Sequence, residues 1–303
     1  MTLYEALISP FADYGFMRRA LAACIIMVAS SAPLGVFLVL RRMTLIGDAA
    51  SHAILPGVAI AFMFSGLSVL PMTIGGLVAG LTMALVAGII ARVTTLKEDA
   101  SFAAAYLSSL AIGVMIISIK GNAVDLLHVL FGNVLAVDGD ALLLVNGVAS
   151  FTILTLAVIY RPLIMECFDP NFLKVQRGKG AIYHQIFLIL VILNLVSSFQ
   201  ALGTMMAVGI MILPAIATRF WTKTIDFAIG LSIIFGVCAA TIGLLLSYHY
   251  NLPSGPAIVL VASGWYLFSV FFGTSGGIVI RFFPRQHFHR NYNRKDNICV
   301  TDS

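Results

Sequence analysis

MRRALAACIIMVASSAPLGVFLVLRR, residues 17–42, decides the class of this protein. Between its two arginine pairs, residues 20–40 hold no Asp, Glu, Lys, Arg or His. A helix of that length crosses the ~30 Å hydrocarbon core of a bilayer. The run does not alternate apolar with polar residues, so a helix is expected and a barrel strand is not. The first run spans 16–40, and others follow at 45–64, 68–91, 100–119, 141–160, 184–199, 203–221, 225–249 and 256–273. The fold class they predict is all-α, a polytopic membrane protein of about nine transmembrane helices. The sixth run is short and the seventh carries Pro214, so eight spans is the alternative.

Composition points the same way. Hydrophobic residues make up 60% of the 303 and charged residues 10%, against roughly 25% charged in a soluble domain. A soluble enzyme of this size could not cover itself with polar groups. The net charge is +5. Its basic residues lie between and after the apolar runs, where they act as topology signals and contact lipid headgroups, so nucleic acid is not expected as a partner. With the N-terminus outside, every Lys and Arg except Arg18, Arg19 and Lys120 falls on the inner side. Residues 1–15 read as an interfacial segment, 16–280 as the transmembrane domain, and 281–303 as a basic, disordered cytoplasmic tail. Cys24, Cys167, Cys238 and Cys299 are scattered without a CxxC pair, which argues against a disulfide framework or a zinc ribbon.

One carboxylate and one imidazole lie well inside a run, away from its ends: Asp48 and His52, in LIGDAASHAILPGVAIA (45–61). Four residues apart, they share one face of a helix, with Ser51 beside them. A carboxylate at membrane depth costs about 3 kcal/mol on insertion scales and is a functional candidate by default. An aspartate oxygen with an imidazole nitrogen suits Zn²⁺ or Mn²⁺ better than Cu⁺. Two ligands make a weak site, which lets a transported ion leave again. A buried Asp–His hydrogen bond joining two helices is the structural alternative. Pro56 and Gly57 are expected to bend the helix just beyond the pair, and Pro214, in GIMILPAIATRF (209–220), to break another.

Other candidates have plainer readings. Asp125, His128, Asp138 and Asp140 cluster outside as a solvated face, and His287 and His289 lie in the solvated tail. Met205, Met206 and Met211 read as gap fillers. Gly76, Gly80 and Ala84 permit close helix contacts within the bundle. In the inner connection 161–182, Asp169 and Pro170 form an N-cap and first-turn pair that predicts a short helix. Phe168, Phe172 and Leu173 would be its apolar face. There is no GxxxxGK[ST], HExxH or GxSxG, so the chain is expected to hold no ATP site and to be no enzyme.

LRRMTLIGDAASHAILPGVAIAF (40–62) resembles the hallmark segment of the zinc/manganese ABC-transporter permease family. The resemblance extends to LFGNVLAVDGDAL (130–142), CFDPNF (167–172), FQALGTMMAVGIMILPAIATRFW (199–221) and NLPSGPAIVLV (251–261). It covers roughly residues 15–275. It implies the permease subunit of a binding-protein-dependent importer of divalent transition metals, in a bacterial inner membrane, with a fold similar to cobalamin and siderophore importers. It implies that Asp48 and His52 contact the metal, and that about 168–176, with Phe168, Asp169, Pro170 and Phe172, is a coupling helix docking on a cytoplasmic ABC ATPase dimer. A second permease copy or paralogue and an extracytoplasmic metal-binding protein would complete the assembly. No cofactor is permanently bound. The cargo is zinc first, by NLPSGP and FQALGTMMAVG, then manganese, then iron. The alternatives are a secondary, proton-coupled transporter using Asp48 and His52, and an ABC importer of a chelated metal.

Overall fold

The computed structural model describes residues 8–66, 68–95, 98–120, 134, 137–168 and 180–279. A short helix α1 (Ser9–Asp13) precedes α2 (Gly15–Leu40). Then come α3 (Thr44–Ala53), α4 (Leu55–Ser65), α5 (Val69–Val93) and α6 (Glu98–Lys120). The rest are α7 (Gly139–Phe168), α8 (Gly180–Leu202), α9 (Thr204–Thr218), α10 (Ile225–Tyr250) and α11 (Ser254–Phe272). No strand occurs among the described residues. Among the described residues, eight helical stretches are long and apolar enough to cross a membrane, with α3 and α4 together forming one of them; α9, at 15 residues, is shorter.

The helix expected over 141–160 is longer at its C-terminal end. α7 runs for 30 residues to Phe168, about 45 Å of helix, so its last turns extend beyond the hydrocarbon core. Phe168 is the last described residue of α7; Asp169, Pro170 and Phe172 lie outside the described residues, as do Asp125, His128, His287 and His289. Pro162 sits inside α7 without ending it. The break expected at Pro214 is also absent. α9 continues through that residue, which is buried. Proline there forfeits one backbone bond, and close packing holds the helix: a Cβ at Gly35 of α2 would overlap the Met211 carbonyl.

α2 is the axis of the bundle. Its C-terminal half joins a core built with α3, α4, α5, α7, α8 and α9. Its N-terminal half joins α7, α8, α9, α10 and α11. Gly76 and Gly80 pack against Ile54 and Ile192, and Ala84 is buried, so this row serves the interior of the bundle. Met206 and Met211 fill the core, and Met205 is exposed.

One polar knot crosses the core. The Ser30 hydroxyl donates to Asn194 Oδ1 at 2.8 Å, and Asn194 Nδ2 donates to Thr152 Oγ1 at 2.7 Å, all buried. It ties α2, α8 and α7 in a medium with no water to satisfy these groups. Asn194→Leu is expected to cost about 1 kcal/mol, read as a lower unfolding temperature of the solubilised protein.

Residues at positive φ serve the chain reversals, Arg42, Gly66, Gly203 and Asn251 among them. Gly203, at φ 88, turns α8 into α9. Arg42, at φ 59, closes α2: the Met43 N–H bonds the Leu38 carbonyl at 2.9 Å and the Arg42 N–H that of Val39 at 3.2 Å. This is a Schellman closure, and it delivers the chain directly into α3.

Candidate metal-pathway site

α3 is buried on most sides. Ile46, Gly47, Ala49, Ala50, Ser51 and Ala53 face the bundle, and a Cβ at Gly47 would press on Met211 and Ile212. The remaining face carries Leu45, Asp48 and His52. The Asp48 side chain is 61% exposed and that of His52 37%. His52 Nε2 lies 3.8 Å from Asp48 Oδ1, beyond hydrogen-bonding distance. The pair is therefore not a buried bond between helices: both groups sit on one helix and open outward. Counting from Thr44, they lie about 6 and 12 Å along the helix, both in the half of the Thr44–Ser65 span that begins at Thr44. Ser51 is no ligand, because it is buried and its hydroxyl donates to the Asp48 carbonyl at 2.7 Å.

The helix is interrupted at Ile54, between α3 and α4. Pro56 stands in the first turn of α4, and its missing N–H is the one that would have bonded the His52 carbonyl. The Ile54 N–H bonds that carbonyl instead. The Ala53 carbonyl accepts the Ser109 hydroxyl at 2.9 Å. A Cβ at Gly57 would overlap the Gly75 carbonyl, so α4 and α5 touch backbone to backbone.

Sequence reading missed two neighbours. Tyr106 of α6 sets its ring 6.1 Å from the His52 imidazole, tilted by 33°; no motif marks it. Arg41, on sequence only one of the inner-side charges, is part-buried and paired with Glu166 at 3.0 Å. Residues so far apart in the chain leave no local signal. Among the described residues no three His, Cys, Asp or Glu side chains gather as a metal cluster. Asp138 and Asp140 are exposed at the start of α7.

A model of the ABC 3 transport family matches residues 13–273. The chain belongs to this family. It is an ABC-transporter permease, a multi-pass protein of the bacterial inner membrane. It is 34% identical over 271 residues to "Manganese transport system membrane protein MntC" of Halalkalibacterium halodurans, covering 89% of this chain and 91% of that protein. It is 30% identical to "Chelated iron transport system membrane protein YfeD" of Yersinia pestis, covering 89% of each. Among solved structures, PsaBC from Streptococcus pneumoniae in complex with Fab superposes with a TM-score of 0.79 at 32% identity, covering 90% of this chain and 97% of that one.

Proposed function

We propose that this permease imports a divalent transition metal, driven by ATP hydrolysis on a partner subunit, and that Asp48 and His52 contact the ion. The exposed carboxylate carries the reading. A 61%-exposed aspartate on a membrane-spanning helix cannot be left against acyl chains. It must face an aqueous path or another subunit. Two copies meeting over this face would offer two carboxylates and two imidazoles to one ion. Pro56 and Gly57 set the interruption of the helix beside that path, and Pro214 lies on the neighbouring α9. The inner connection after Phe168 would engage the ATPase dimer, and a binding protein would deliver the ion outside.

Manganese replaces zinc as the favoured cargo, because the more similar relative is named for it. A carboxylate oxygen and one imidazole nitrogen also suit Mn²⁺. The relative named for chelated iron keeps the chelate reading as the second one. A bulky chelate fits poorly on an open acidic–imidazole face.

The test is ATP hydrolysis by the reconstituted complex of this chain with its ATPase and binding protein. Manganese-loaded binding protein is expected to stimulate hydrolysis, and His52→Ala to abolish the stimulation. Failure of the chain to assemble with any ATPase would move the proton-coupled transporter to the front.

A further inference from the structure

We propose that Arg41 is a positioning residue, linking the inner ends of α7 and α8 to the helix that carries Asp48 and His52. The contacts converge on one guanidinium. Arg41 Nη2 meets Glu166 Oε2 at 3.0 Å, with side chains only 8% and 12% exposed. Arg41 Nε lies 3.3 Å from Cys167 Sγ, and Nη1 meets His184 Nδ1. The Phe187 ring lies under the group, 5.3 Å from its centroid to Cζ. Glu166 and Cys167 stand in the last turn of α7, and His184 and Phe187 in the opening turns of α8. Arg41 thus grips both stems of the inner connection at once.

A buried ion pair is weak as a source of stability and strong as a specifier of arrangement. A planar fork held by a carboxylate, a thiol, an imidazole and a ring has one orientation, whereas an apolar contact would slide. On the other side of Arg41 the chain has no slack. The Schellman closure at Arg42 and Met43 follows at once, Met43 is buried, and α3 begins at Thr44. Asp48 is seven residues from the guanidinium's own backbone along that stiff path. A shift of the α7 and α8 stems therefore moves α3, and with it the exposed face that bears the metal ligands. The link between stems and α3 stands on these contacts alone; its use for ATP-driven access rests on the proposed function.

The first experiment does not depend on ATP. Leu45, on the same exposed face as Asp48, is changed to Cys in the full chain. Maleimide labelling in native membranes is timed against the parent chain, with and without Glu166→Gln. The expected result is a change in labelling rate on the order of 2- to 30-fold, the span of measured coupling effects. The exchange Arg41→Glu with Glu166→Arg is expected to restore part of it. An unchanged rate in Glu166→Gln overturns the link. If Glu166→Gln does not reach the membrane, Phe187→Leu takes its place, since it removes only the ring and leaves both charges; an unchanged rate there overturns the link as well. The second readout is manganese uptake per ATP in the reconstituted complex. A lower ratio with hydrolysis retained supports transmission to the site, and a wild-type ratio confines Arg41 to holding the fold and overturns the proposal. Altered labelling in a chain that binds no ATPase would retain the link and discard the ATP-driven reading.

Discussion

Asp48→Ala and His52→Ala are each expected to stop metal uptake while folded protein persists in the membrane. Loss of transport should be at least about 100-fold, since even outer-shell partners of a metal cost 10- to 100-fold. The fold should tolerate both changes. Asp48 is more than half exposed, His52 more than a third, and their separation of 3.8 Å leaves no hydrogen bond to lose. Removing the carboxylate also removes its insertion cost of about 3 kcal/mol. The double variant should be no worse than either single one, because the two groups act as a unit. The measurement is radiolabelled manganese uptake in vesicles, normalised to protein recovered by gel filtration. Normal transport by both alanine variants would sink the site assignment.

Gly57→Val should have the largest effect on the fold. The added Cβ would meet the Gly75 carbonyl, and a side chain at Gly75 would meet that of Gly57 in return. Both obstacles are backbone, so no rotamer change relieves the overlap. We expect a loss of about 3 kcal/mol or more, seen as poor recovery of folded protein and a lowered unfolding temperature. Gly147→Ala is the contrast: its Cβ meets open space, and helix propensity should yield up to about 1 kcal/mol in its favour. Transport should fail in Gly57→Val even where protein survives, because the α4–α5 contact holds the interruption next to His52.

How far the site was legible depends on the kind of signal. Asp48 and His52 stood out because a charge inside an apolar run is conspicuous along the chain, and i,i+4 spacing places them on one face whatever surrounds the helix. Tyr106 and Glu166 did not stand out. One is an aromatic residue among many, and the other sits in what looked like the start of a loop. α7 carried that residue past 160 because Arg161 and Pro162 do not end a helix whose last turns leave the hydrocarbon core.

Sequence alone determined the class of the molecule, the placement of its apolar helices, its family and the one carboxylate–imidazole pair well inside a run. These follow from hydropathy and spacing, which are properties of the chain read in order. Tertiary structure decided which face of α3 stays open, that Gly57 meets Gly75, that α9 runs on through Pro214, and that Arg41 finds Glu166. In a soluble helix the apolar stripe announces the buried face. Here nearly every face is apolar, since lipid asks for the same side chains as the core does. The choice of buried face is left to the fit of glycines against backbone and to a few polar pairs, and those become visible only once the helices are packed together.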